Sequence, residues 1–218
     1  MTRLGHKYGV QQLCEGGLRR LREAFPPAHY PPPGWHETPE KGLPGFRTED
    51  AITVANLARL TGATDILPTV LYVCTQLSVN TILSRSCLIP GSNNEDYLSM
   101  DDVARCLSGQ SELRLRQLRT VLKVASSGSR SDRCKDTEKC DTGLATIRQQ
   151  AIDMLASPSS LTADVDTLRV DTLWDFVGSF DLCEPCHSDI RMHALRQMRL
   201  AFDDLPAIFN LEHPTSQQ

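Results

Sequence analysis

The sequence has no run of about 20 apolar residues, which is the length that an α-helix needs to cross a bilayer. Its first residues, Met1-Thr-Arg-Leu-Gly-His6, do not contain the apolar stretch of a secretory signal. We therefore expect an intracellular protein, cytoplasmic or nuclear, without a membrane partner. The eight cysteines are then expected to be reduced, because disulfides are rare in those compartments.

The chain also lacks an excess of basic residues. Of its 218 residues, 23 are lysine or arginine and 27 are aspartate or glutamate, which gives a formal net charge of -4. Charges of both signs are scattered along the chain, whereas a general nucleic-acid-binding protein concentrates basic residues on one face. Nucleic acid is therefore not the expected partner.

Common catalytic motifs are missing as well. The sequence contains no glycine-rich phosphate loop, no GxSxG nucleophile turn and no HExxH pair. Asp101 and Asp102 are adjacent carboxylates, but they suit the charged start of a helix better than acid–base catalysis. The sequence predicts that this protein is not an enzyme.

Sustained strand-like alternation is absent, and helical spacing of apolar residues recurs instead. The spacing of apolar residues in the first 25 residues predicts two helices broken near Gly9. Thr48 is predicted to cap a helix that ends at Thr61-Gly62, and Ser99 to begin, with a capping box, a helix that Gly109 interrupts. Further helices are predicted at about 65–77, 111–124, 137–156, 170–180 and from Cys183 to about Phe202, with a polar loop at 90–97. The predicted fold is all-α, an irregular multi-helix bundle.

Proline content divides the chain. Seven prolines fall between Pro26 and Pro44, and proline fixes φ and removes a backbone donor. We predict a short helical block at 1–25, a proline-rich linker or loop at 26–47, a helical domain at 48–211 and a disordered tail at 212–218.

Several phrases, in order, resemble one known family. Leu4-Gly-His-Lys-Tyr8 and Leu18-Arg-Arg-Leu21 resemble the last helices of a BTB/POZ domain. The region after that domain in fungal BTB/POZ proteins is similar to four further phrases, which are Ala51–Leu60 with Ile66–Tyr72, Leu98–Gly109, Cys183-Glu-Pro-Cys186 and Leu205–Leu211. The resemblance implies a non-enzymatic protein–protein interaction module, an adaptor, whose partner is another protein.

The chain begins where a BTB/POZ fold is nearly finished. A complete BTB/POZ fold has an N-terminal sheet that carries dimerisation and, in many members, docking of a cullin-type ubiquitin-ligase scaffold. The resemblance implies that only the terminal helices of that fold are present, so neither BTB-style dimerisation nor cullin docking is expected here. A truncated gene model and a genuine helical product both account for this start.

Two cysteine pairs are the strongest candidate site. Cys134 and Cys140 form one pair, and Cys183 and Cys186 form a CxxC pair in which Pro185 restricts the backbone. Thiolates are the preferred ligands of structural zinc, so these four cysteines are the predicted metal ligands and zinc the candidate cofactor. His187 and His193 are the spare candidates should one cysteine lie elsewhere.

Two other interpretations of the cysteines stay open. Reduced thiols also pack as small apolar groups, which is the role we expect for most of Cys14, Cys74, Cys87 and Cys106. A CxxC at a helix start also occurs in redox enzymes, although a thioredoxin-like motif follows a strand. An alternative function is a zinc-stabilised nucleic-acid-binding protein or transcription cofactor, which would use the arginines near 114–119 and 191–199.

Overall fold

The structure, a computed structural model, describes residues 2–27, 43, 45–84, 86–88, 95–126, 130–156 and 181–211. Its α-helices are α1 (Thr2–Tyr8), α2 (Gln11–Ala24), α3 (Ala51–Thr61), α4 (Leu67–Cys74), α5 (Val79–Ser84), α6 (Met100–Ser126), α7 (Thr137–Ala156), α8 (Glu184–Asp203) and α9 (Leu205–Ile208). Short 3-10 turns at Thr48–Asp50 and Thr64–Ile66 precede α3 and α4. Strands β1 (Ser86–Leu88) and β2 (Glu95–Tyr97) pair antiparallel. The predicted all-α class is confirmed.

The chain forms two compact units. Unit 1 comprises Met1–Ser111 and Phe202–Gln218, and unit 2 comprises Glu112–Ala201. Both divisions fall inside helices, the first within α6 and the second within α8.

The core of unit 1 is built on α3 and α4. The buried face of α3 is mostly small, with Ala51, Ala55 and Ala58 beside Ile52, and alanine allows another helix to approach closely. Every residue of α4 except Val73 is buried, as expected for a central helix. Full burial of each large aliphatic side chain contributes about 1.5–3 kcal/mol.

A buried carboxylate fastens α3 to α6. Asp102 is only 1% exposed, and its Oδ1 accepts from Arg59 Nη2 at 2.6 Å and from Arg105 Nη1 at 3.3 Å. The amide of Asp102 donates to Ser99 Oγ at 3.1 Å, as the predicted cap at the start of α6 requires. Asp102 is therefore held at the start of its own helix by the Ser99 cap, while its carboxylate binds Arg59 near the end of α3.

Other local predictions are also confirmed. Gly9, with φ of 67°, separates α1 from α2, and Gly62, with φ of 70°, ends α3. Pro68 lies in the first turn of α4, where its missing amide is not needed. Both glycines occupy the left-handed region that other residues avoid.

Gly109 does not interrupt a helix, so this prediction was wrong. Helix α6 continues unbroken from Met100 to Ser126, and Gly109 is buried within it. A Cβ at position 109 would overlap the ring of Phe209, which is itself fully buried. The glycine serves close packing against a residue 100 positions away.

Two smaller predictions were also wrong. Thr48 does not cap α3, because the chain first makes a 3-10 turn that Arg47 and Asp50 close, the amide of Arg47 donating to Asp50 Oδ2 at 2.8 Å. Residues 95–97, predicted as loop, form β2 opposite β1. A three-residue strand is too short to show alternation.

Several predictions lie wholly or largely outside the described residues. These are the helix at 170–180, most of the loop at 26–47 and the tail at 212–218. The predicted domain boundaries therefore stay predictions. Within the part of the chain that the structure describes, no helix combines the length and apolar character that crossing a membrane demands.

Replacing Gly109 by alanine tests the packing role of this glycine. Alanine favours a helix by about 1 kcal/mol over glycine, but its methyl group would push against Phe209, and overpacking costs about 1–3 kcal/mol. We expect Gly109→Ala to lower the free energy of unfolding. The matched control is Gly16→Ala in α2, where a Cβ meets nothing within 4 Å and the free energy should rise. Chemical denaturation measures both, and stabilisation by Gly109→Ala would contradict this role.

Candidate metal centre

Four cysteines meet at the starts of two helices in unit 2. Cys134 lies in the segment before α7, and Cys140 lies in the first turns of that helix. Cys183 comes directly before α8, and Cys186 lies in its first turn. Their four Sγ atoms are all within 4.8 Å of one another. The two predicted pairs are therefore brought together.

The sulfur spacing suits a metal ion. The Sγ atoms of Cys134 and Cys183 are 3.8 Å apart. Tetrahedral zinc with bonds of about 2.3 Å to sulfur places neighbouring sulfurs about 3.8 Å apart, whereas a disulfide requires about 2 Å. All four thiols are free.

Backbone amides donate hydrogen bonds to three of the four sulfurs. The amide of Ser131 donates to Cys186 Sγ at 3.4 Å, that of Lys135 to Cys183 Sγ at 3.5 Å and that of Cys183 to Cys140 Sγ at 3.3 Å. Hydrogen bonds to sulfur favour the thiolate, because they stabilise the charged form. The loop backbone thus directs hydrogen-bond donors at three of the four sulfurs.

The four cysteines differ in exposure. Cys140 is 0% and Cys186 2% exposed, while Cys134 and Cys183 are half-buried. Each pair contributes one buried and one accessible sulfur, so the site has an inner and an outer side.

The pKa values of Cys183, Cys186 and Cys140 are shifted by their surroundings. The backbone N–H groups of Lys135 and Cys186 lower the pKa of the Cys183 thiol to about 6. Burial raises the pKa of Cys186 to about 12, although the amide of Ser131 opposes this, and burial raises the pKa of Cys140 as well. A bound dication would hold all four as thiolates, so its binding would release protons.

Local structure positions the first cysteine pair. Asp136 caps α7, its Oδ1 accepting from the amide of Lys139 at 3.1 Å. The amide of Cys134 donates to the carbonyl of Ser131 at 2.9 Å, which turns the chain towards the cluster. A helix that starts at Thr137 therefore carries Cys140 at a fixed distance from Cys134.

A glycine and an ion pair position the second pair. A Cβ on Gly143 of α7 would lie 2.7 Å from Leu182 Cδ2 and 3.2 Å from the carbonyl oxygen of Asp181. Lys139 Nζ also lies 2.6 Å from Asp181 Oδ1. The segment entering α8 is thus held against α7 just before Cys183. The sequence did not identify Gly143 or Asp181, although a glycine inside a helix is itself a signal of close packing.

The other candidate residues do not join the cluster. Among the described residues, the four cysteines are the only group of three or more potential ligands at this spacing, so His187 and His193 are not needed. Cys74 and Cys106 are buried as predicted, and Cys14 is half-buried. In the arginine stretch of α6, Arg116 Nε lies 3.1 Å from Glu112 Oε1, so part of that basic charge is already paired.

No protein-family model, no curated protein and no solved structure matches this chain. The resemblance to BTB/POZ proteins therefore rests on the quoted phrases alone. What the cysteine cluster does has to be argued from its own geometry.

Alkylation of metal-free protein tests the cluster's electrostatics. Because its pKa is lowered to about 6, Cys183 is mainly thiolate at pH 7 and should react with iodoacetamide at a rate that falls only below about pH 6. Cys186, raised to about 12, should stay protonated and react far more slowly. Peptide mass spectrometry across pH 5–9 measures both rates. Equal labelling of the two cysteines would contradict this arrangement.

Proposed function

We propose that Cys134, Cys140, Cys183 and Cys186 bind one zinc ion that stabilises a helical protein-interaction module. One observation carries the zinc proposal: the four Sγ atoms lie within 4.8 Å of one another. The distance of 3.8 Å between the Sγ atoms of Cys134 and Cys183 supports it, as do the backbone amides that donate to sulfur. Thiolate ligands favour zinc among the abundant divalent ions.

The proposed ion is structural. Four protein ligands complete a tetrahedral shell, so no position is left for water or substrate, which a catalytic zinc requires. Reduced thiols persist in a reducing compartment, which supports an intracellular, cytoplasmic or nuclear location.

Few of the described side chains on α7 and α8 are buried. Among the α7 side chains that the structure describes, three are buried, namely Cys140, Leu144 and Ile147. In the part of α8 that belongs to unit 2, the buried side chains are Cys186, Ala194 and Ala201. Small apolar cores are often supplemented by a metal ion or disulfides. Zinc at the cluster would join the beginnings of both helices.

The module's role, in this proposal, is protein binding and not catalysis. The resemblance to the C-terminal region of BTB/POZ proteins supports this role, since its phrases fall on α1 to α4, α6, α8 and α9 in order. An in-frame coding extension upstream of Met1 that specifies strands would support the BTB/POZ relationship, and a stop codon there would favour an independent helical module.

Metal analysis tests the zinc site. Protein purified without chelator should contain about one zinc per chain, and Cys183→Ser should lose it. Loss of a ligand should weaken metal binding and lower the melting temperature by about 2–4 °C for each kcal/mol of stability lost, as for a domain of this size. Cys14→Ser, which changes a half-buried cysteine outside the cluster, is the matched control and should keep its zinc. Metal-free protein with an unchanged melting temperature in Cys183→Ser would leave only thiol packing.

Affinity purification tests the interaction role. Tagged wild-type chain and Cys14→Ser should recover the same partner protein, and Cys183→Ser should recover less of it. The recovered partner should then bind the purified chain directly, as measured by calorimetry. Reproducible substrate turnover by the purified chain, abolished by a single substitution, would overturn the non-enzymatic assignment.

A further inference from the structure

The two accessible ligands of the cluster face each other. Cys134 and Cys183 are both half-buried, and they come from different halves of the site. Their Sγ atoms are 3.8 Å apart, and a disulfide needs about 2 Å, so each sulfur has to move by only about 1 Å. Cys140 and Cys186 lie behind them at 0% and 2% exposure.

We propose that Cys134 and Cys183 are an oxidation site, at which a hydroperoxide converts the two thiolates to a disulfide and releases the metal. The release of zinc rests on the function proposed above, whereas formation of the disulfide needs only the two sulfurs. The site would turn a metal link into a covalent one at the same place.

The chemistry balances with the hydroperoxide as the oxidant. One thiolate attacks an oxygen of ROOH, so a sulfur–oxygen bond forms, the O–O bond breaks and the departing RO⁻ takes up a proton. The second thiolate attacks that sulfur, which forms the S–S bond and expels hydroxide, and hydroxide takes up a proton to become water. Two thiolates, ROOH and two protons thus give a disulfide, ROH and water, with two electrons passing from sulfur to the O–O bond.

Accessibility selects this pair over the CxxC pair. A peroxide must reach the first sulfur, and either Cys134 or Cys183 can take that part, whereas Cys186 is 2% exposed and could only be the second sulfur. Cys134 precedes α7 in a segment whose neighbours Arg133, Lys135 and Asp136 are exposed, so this sulfur can approach Cys183 without displacing a packed side chain.

Oxidation of Cys134 and Cys183 leaves only two of the four proposed zinc ligands. Cys140 and Cys186 alone do not complete a tetrahedral shell, so zinc is released when Cys134 and Cys183 oxidise. The new bond still joins the segment before α7 to the start of α8, and a dithiol reductant with zinc would restore the original site.

The experiment treats the full chain, as purified, with hydrogen peroxide. Three results are expected: release of about one zinc per disulfide to a chromogenic indicator, a fall in free thiols from eight to six per unfolded chain, and a Cys134–Cys183 link in non-reduced peptide maps. Dithiothreitol and zinc should reverse all three. Cys14→Ser, as a control, should release the same amount of zinc.

A second arm uses chelator-treated protein. The same disulfide should form there without any zinc signal, so a chain that never contained zinc would refute the zinc function while still testing the oxidation site. A predominant Cys183–Cys186 link, a link through Cys140, or oxidation to sulfinic acid without a disulfide would overturn the proposal in either arm. Zinc retained in chain that has formed the Cys134–Cys183 link would overturn the release step.

Discussion

In unit 2, four sulfur atoms are held within 4.8 Å of one another. Thiolates at this spacing repel each other, and burial opposes charge on Cys140 and Cys186 in addition. Backbone amides relieve part of that cost, since they donate to three of the sulfurs. A divalent cation would relieve the rest, so the zinc ion proposed above is consistent with both the sulfur spacing and the directions of the amides.

The parts of this structure that could be predicted from sequence are those with local causes. Helix α7 runs over the predicted residues, and α8 begins at the second cysteine pair. Gly62 and Pro68 act through their own backbone geometry, so residue type alone indicates their places. The proximity of the two cysteine pairs was also predictable, because all four residues carry a thiol and thiolates are the preferred ligands of structural zinc.

Contacts between distant residues could not be predicted in the same way. Gly109 looks like a helix breaker until Phe209 is known to lie against it, and Gly143 gains its meaning from Leu182. Asp102 gave the signal of a charged helix start, but its bond to Arg59 depends on how α3 and α6 meet. A single sequence states which residue is present and not what covers it, so these packing roles become visible only with the fold.

Helices α6 and α8 each carry residues of both units, since the divisions fall at Ser111–Glu112 and Ala201–Phe202. Domains usually join through exposed linkers, where a chain is readily cut or spliced. Here a recombination event that moved Glu112–Ala201 into another gene would sever a helix at both ends. The cysteine-bearing unit is therefore poorly suited to exchange between genes as a separate domain. It should have evolved together with the rest of this chain.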